Sequence, residues 1–547
     1  MAMTYRSQHQ QYIAVRAAGS DPDPAVYCPA EGYILNPIDG TWDEILVMET
    51  NSPSTTPFDP AITASAGQYA WNLGDGTIIL YDKAISHTYP DSTTKTAKLY
   101  KKGTAAITVI DFNSDNLIGV IDISNSVFAT ITQLILNSNA SLTGIILPIT
   151  ISGTVSKIYA YSCGLTGTLD LSKVTVLSAG SDIRIYSNPA LTGLLFASSI
   201  SGKVAYLYLQ SNNITGTLDL TMFTKFASNC YLYASYNALM TYVLFASVIT
   251  EGTLSVLSLN NTGITGTLDL TMFTNFGSSG GNLNLYNNAS LIGVMFKNSL
   301  TGSLASLMLY ACNLTGALDL SMFTTIRDSC NIYLHSNPNL TNITFATALS
   351  GSVMSINASS CNLLGALDLS MFATINNGAL LNFEYNQNLT SITFAAIVTG
   401  SIYSLALNNC DITGALDLSM FTSIGGGWFN LHSNQNLTSI TLAANVTGSM
   451  YIFDIHGCIS IGYVDLTGLT TGTNLNNSSW YLSNCGWNAA IVNHMLVDLD
   501  LISTAGYTGR KIDIGGTNAA PDSGSGGYNG SAAKTSLQGK GFTVTTN

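Results

Sequence analysis

Tyrosines, histidines and one arginine recur in this sequence at positions where they could act together by stacking and hydrogen bonding. They are Tyr159, Tyr161, Arg184, Tyr186, Tyr208, Tyr233, Tyr286, Tyr310, Tyr333, His335, His432 and His456. Each lies in a short run where apolar residues alternate with others, as in Ile158-Tyr159-Ala160-Tyr161 and Ile332-Tyr333-Leu334-His335. In a strand that alternation turns all of them to the side away from the core. Gln210, Asn284, Asn357, Asn382, Asn408 and Asn430 fall at equivalent positions. Aromatic rings with amide and hydroxyl neighbours are the chemistry of protein recognition and of sugar stacking. Tyrosine also stabilises any strand surface through cross-strand contacts, and the sequence is compatible with either role.

Catalytic chemistry is unsupported. The chain has six histidines and carries no H-E-x-x-H, G-x-S-x-G, P-loop or paired C-x-x-C pattern. Its most regular acid, the aspartate of L-D-L, occurs in every repeat, which suits a turn or cap rather than one active site. The expectation is a protein that is not an enzyme and has no cofactor and no metal site.

The elements that must position the aromatic residues are repeats. Leu314-Thr315-Gly316-Ala317-Leu318-Asp319-Leu320-Ser321-Met322-Phe323 has near copies on both sides: Asp170, Asp219, Asp269, Asp319, Asp368 and Asp417 are spaced by 49, 50, 50, 49 and 49 residues. Asp122 and Asp465 extend the series by 48 residues each way. Each unit is double, because Leu307-Met308-Leu309-Tyr310-Ala311-Cys312-Asn313-Leu314 and Ile332-Tyr333-Leu334-His335-Ser336-Asn337 both fit L-x-L-x-x-(N/C)-x-L, so the period is 24 to 25 residues. Periods of this size mean stacked supersecondary units. One slot per coil must turn the chain inward and satisfy backbone groups, which asparagine does with both a donor and an acceptor. Asn139, Asn188, Asn212, Asn237, Asn288, Asn337, Asn386 and Asn434 fill it, alternating with Cys163, Cys312, Cys361, Cys410, Cys458 and Cys485. With Asp115 and Thr262 the series has 16 slots.

The pattern and its period resemble the leucine-rich repeat family over residues 107–487, and the resemblance implies a curved solenoid with one short parallel strand per coil. Before it, Tyr69-Ala70-Trp71-Asn72-Leu73-Gly74-Asp75-Gly76 and Ser86-His87-Thr88-Tyr89-Pro90 resemble the signatures of PKD-like domains, small β-sandwiches of extracellular and virion proteins. Leu73 stands where that family has phenylalanine. Asp75-Gly76 suits a tight turn, and the sequence offers too few oxygen ligands around it to define a calcium site. The tail from Gly515 to Val544 resembles the closing segment of repeat proteins of Bacteroidetes bacteria and their phages.

The expected fold is therefore mainly β: a leucine-rich-repeat solenoid of about 16 coils with a parallel sheet, after a small PKD-like β-sandwich and before a C-terminal cap. The divisions are residues 1–57, an attachment region without an assignable fold; 58–106, PKD-like; 107–487, solenoid; and 488–547, cap and tail. In the first, Tyr12–Val15 and Ile45–Met48 read as strands, separated by turns such as Asp21-Pro22-Asp23-Pro24, and Pro53–Pro57 reads as a linker. In the last, Ala489–Val497 has helical spacing and Lys511–Ile514 reads as one more strand. The repeated Met-Phe pairs, such as Met322-Phe323, belong to the side opposite the tyrosines and would close the coil interior.

Charge and cysteine usage narrow the partners. A net charge of −13 opposes phosphate-mediated binding of nucleic acid, and no apolar run is long enough to insert in a membrane. Five of the slot cysteines, Cys163, Cys312, Cys361, Cys410 and Cys458, recur in alternate coils, with nearest members roughly 10 Å apart at strand spacing, which is beyond disulfide reach. They read as buried, reduced thiols, and Cys28, Cys230 and Cys330 have no evident partner either. Met1–Gln11 lacks the apolar core of a secretory signal. This favours a phage virion protein, a tail or capsid appendage that leaves the cell by lysis. Its N-terminal region would hold other virion proteins and its solenoid would meet a host surface protein or glycan. The alternatives are a bacterial cell-surface adhesin and an intracellular repeat scaffold.

Overall fold

The computed structural model describes residues 3–4, 14–15, 42–80, 83–104, 106–469, 472–474, 478–504 and 509–547. The fold is mainly β, a parallel β-solenoid of about 15 turns with a short C-terminal helical region. The chain divides into two compact units, Met1–Gly263 and Ile264–Asn547.

In the first unit, successive coils lay down Ile107–Asp111, Gln133–Ile135, Val155–Tyr159, Leu177–Arg184, Val204–Tyr208, Phe226–Tyr233 and Leu254–Ser258 as one parallel ladder. The alternation works as the sequence requires: Ile158, Ile183, Leu207 and Leu232 are buried and in register, while Tyr159, Arg184, Tyr208 and Tyr233 form the neighbouring row on the other side. Outer strands pair only two at a time, as Thr166–Leu171 does with Ala190–Phe196. Their register shifts by one residue beside Gly167, whose φ of +64° is open to glycine and costly for other residues.

The second unit repeats this with Asn275–Asn284, Thr301–Met308, Ile326–Tyr333, Val353–Asn357, Ile375–Asn382, Ile402–Ala406, Ser423–Asn430 and Thr447–Asp454. The phenylalanines of its outer segments meet edge to face inside the coil, Phe345 on Phe372 and Phe394 on Phe421, with ring centroids 5.0 Å apart in both pairs. They are buried, as the Met-Phe pattern implied. The aspartates of L-D-L close turns: Asp319, Asp368 and Asp417 accept the N–H of Ser321, Ser370 and Ser419 at 2.8, 2.8 and 2.9 Å.

The asparagine slot stitches successive coils together. Asn337 Nδ2 donates to the carbonyls of Leu309 (2.8 Å) and Leu334 (2.7 Å), and its Oδ1 accepts the Leu314 N–H at 3.1 Å. A cysteine in the alternate coil supplies a single hydrogen: Cys312 Sγ donates to Leu285 O at 3.3 Å. The eight described cysteines are buried and unpaired, and burial pushes Cys312 up to about 11 and Cys410 up to about 12, so they stay protonated thiols. Cys28 lies outside the described residues.

The number of turns is about 15, against sixteen slots read from the sequence. The strand before the last slot, Ser479–Tyr481, leads into helix Ala489–Ile502 instead of an outer strand, so Cys485 opens the cap. The cap continues the ladder through Arg510–Asp513 and Phe542–Thr545. It also contains a slot that the sequence hid: Asn518 donates to Leu482 O and Ile514 O at 2.8 and 3.0 Å and accepts the Cys485 N–H at 3.0 Å.

At the other end, most of residues 1–41 lie outside the described residues, including the turn at Asp21–Pro24 and the first half of the expected strand at Tyr12–Val15; Ala14–Val15 pairs with Met3–Thr4. Asp43–Thr50, which contains the expected strand Ile45–Met48, pairs antiparallel with Lys95–Lys102 and touches Leu117–Asp122. Ala61–Ala64 pairs antiparallel with Ile107–Asp111 and so covers the open edge of the ladder. The two N-terminal signatures pack on each other, since His87 Nε2 lies 2.7 Å from Asp75 Oδ2 and Tyr89 donates to Leu73 O at 2.9 Å.

Candidate recognition face

Because the buried member of each strand is fixed by the core, the opposite members are held at strand spacing with their rings packed side by side. All twelve candidate residues are half-buried on the ladder strands or just after them. They gather in three groups, one in the first unit and two in the second.

In the first unit Tyr161 and Tyr186 stack with centroids 4.5 Å apart and planes 4° from parallel. Tyr159, Arg184, Tyr208 and Tyr233 follow one another in register across four strands. The one arginine of the series places a guanidinium among these rings. Arg184 Cζ lies 5.1 Å from the ring centres of both Tyr159 and Tyr208, a cation–π bridge. Asp182 fixes it through bonds of 2.8 Å to Nε and 2.8 Å to Nη2, and also accepts the Tyr159 hydroxyl at 2.7 Å.

Sequence reasoning missed Asp182, Tyr206 and Tyr231. The ladder strands have one more outward position than was counted, and Tyr206 and Tyr231 stack there at 5.4 Å. The signal was present in Tyr206-Leu207-Tyr208 and Tyr231-Leu232-Tyr233, where the alternation runs one step earlier. Burial, then the neighbouring acid Asp182, lifts the Tyr159 hydroxyl to about 12. Burial, then Tyr233, lifts that of Tyr208 to about 12. These phenols therefore remain neutral, with donors and acceptors available to a neutral ligand.

In the second unit Tyr286, Tyr310 and His335 form a parallel pile, each step 4.6 Å, with Tyr333 set at 69° to His335. Burial lowers the His335 pKa below its usual value, so it is uncharged at neutral pH, and its Nδ1 has no partner among the described residues. His432 and His456 are a separate pair stacked at 4.4 Å, with Asp454 on His456 Nδ1 at 2.7 Å. Burial also lowers His432, although the charge of Asp454 opposes it.

Among the described residues no group of three or more His, Cys, Asp or Glu side chains converges as a metal site, and no helix is long and apolar enough to cross a membrane. The face offers stacking surfaces, one fixed cation and many neutral hydrogen-bonding groups. No protein-family model, curated protein or solved structure matches the chain.

Proposed function

We propose that this protein is a non-enzymatic appendage of a bacteriophage particle, a solenoid of the leucine-rich-repeat type whose strand face recognises the host surface. The observation that carries the reading is the packed row of half-buried rings around Arg184, with centroids 4.5 to 6.1 Å apart. Rigid aromatic side chains give large contact area at low entropic cost, the composition of binding hot spots. The N-terminal sheet, paired into both strand layers of the first coils, provides a firm base for attachment to other virion proteins.

A bacterial cell-surface adhesin is the second reading, favoured by the PKD-like pairing of Asp75 and His87. The two differ in where the protein resides. Mass spectrometry of purified phage particles and of the host envelope fraction is expected to find its peptides in the particles at structural abundance. Peptides confined to the envelope would replace the first reading by the second.

A further inference from the structure

Beyond the pile of rings, the strand face of the second unit drops into a depression of about 300 Å³. Tyr333 and His335 stand at one side, and Ser355, Asn357, Asn382, Ser404 and Ala406 form its floor and rim. The floor is low where small residues flank Leu380: Ser355 and Ser404 are its register partners on either side, and Ser355 is 4% and Ala406 9% exposed. On the strand beyond, Trp428 stands in register with Ser404 and Asn430 with Ala406. Trp428 is 48% exposed, an indole held on the surface at the border of a polar hollow.

We propose that this hollow binds a neutral pyranose unit of a surface oligosaccharide, which extends the reading of the strand face as a recognition surface and rests on it. Three observations converge. Tyr333 and His335 wall the hollow on one side and the exposed Trp428 stands on the strand beyond the other, and ring faces pack against the C–H face of a sugar. Ser355, Asn357, Asn382 and Ser404 in the lining can give and accept hydrogen bonds as sugar hydroxyls do, beside the apolar Leu380 and Leu381. Asn357 Oδ1 is engaged by the Ser359 N–H at 3.0 Å, which leaves its amide hydrogens for a ligand. Buried polar atoms at and beside the hollow, His335 Nδ1, Asn408 Oδ1 and Asn430 Oδ1, have no partner among the described residues, and such groups gain most from a ligand that satisfies them. No lysine or arginine lines the hollow, so a sialylated or phosphorylated sugar would find no counter-charge there. A protein surface would need a broader apolar contact than this hollow presents.

The test is saturation-transfer NMR on the full chain with lactose, diacetylchitobiose and mannobiose at millimolar concentration, and with sialyllactose as the charged control. At least one neutral disaccharide is expected to bind. Filling the hollow with Ser404→Tyr, or removing the indole with Trp428→Ala, is expected to weaken that binding about tenfold or more. Binding of none of the neutral sugars, binding of sialyllactose alone, or neutral binding undiminished in both variants would overturn the proposal. Attachment of Ser404→Tyr to host cells separates the two readings: lost saccharide binding with normal attachment keeps the sugar site and removes it from host recognition.

Discussion

Asp115→Asn is expected to remove a pH dependence that otherwise weakens the first unit by several kcal/mol between about pH 4 and pH 8. Asp115 occupies the slot that asparagine or cysteine fills in later coils, and it is 0% exposed. Its Oδ1 accepts the Asp59 N–H at 2.7 Å, while Oδ2 has no partner among the described residues. Burial raises its pKa to about 8, with the charges of Asp59 and Asp111 acting in the same direction and the Asp59 N–H against them. The folded state therefore keeps a proton that the unfolded chain releases near its ordinary value of 3.8. Stability from this group is fully present below that value and is lost as pH rises through about 8. At ~1.4 kcal/mol per pH unit the loss is on the order of 5 kcal/mol. Asparagine cannot titrate, and its amide would bond the coil as Asn212 does, with Nδ2 on Leu209 O at 2.9 Å. Urea unfolding at acid and mildly alkaline pH should show the wild type losing stability between the two while the variant does not. Equal pH slopes would contradict this.

Asn337→Ala should strongly destabilise the second unit. It strands the carbonyl of Leu309 and the N–H of Leu314, and leaves Leu334 O to the thiol of Cys361. Each buried group left unpaired costs about 1–3 kcal/mol, so a loss of roughly 3 kcal/mol or more is expected. Asn337→Cys should fall between alanine and wild type, because a thiol restores one donor, as Cys361 does toward Leu334 O at 3.3 Å. Urea unfolding ranks the three proteins. A cysteine variant no more stable than alanine would show that the thiols of the alternate coils are only space-fillers.

Much of the solenoid was legible because its constraints repeat. A slot that must return hydrogen bonds to its own coil and the preceding one accepts few residue types, so asparagine and cysteine mark it in the sequence, and L-D-L marks each turn. Asn518 escaped because helix Ala489–Ile502 separates it from Cys485 and breaks the interval. The N-terminal pairing escaped for another reason: Asp43–Thr50 meets Lys95–Lys102 and Leu117–Asp122 through non-local antiparallel contacts that leave no period.

The candidate face was readable row by row but not as a surface. Alternation identified Tyr159, Tyr186 and His335 as outward, whereas the bridge of Arg184 between Tyr159 and Tyr208 and the bond of Tyr159 to Asp182 depend on which side chains meet across strands 20 or more residues apart. The hollow beside Tyr333 was still harder to foresee. It exists because Ser355, Ser404 and Ala406 are small where their neighbours are large, a feature that only adjacency reveals.

Attachment of a Tyr186→Ala, Tyr208→Ala, Tyr233→Ala protein to host cells tests the proposed recognition of the host by the tyrosine-rich strand face. Each ring at a hot spot can contribute ~2 kcal/mol or more, so the triple variant should lose attachment altogether while its melting temperature stays close to wild type. Normal attachment by this variant, with attachment abolished by changes in residues 58–106 or in the tail, would contradict the claim and make the solenoid a spacer.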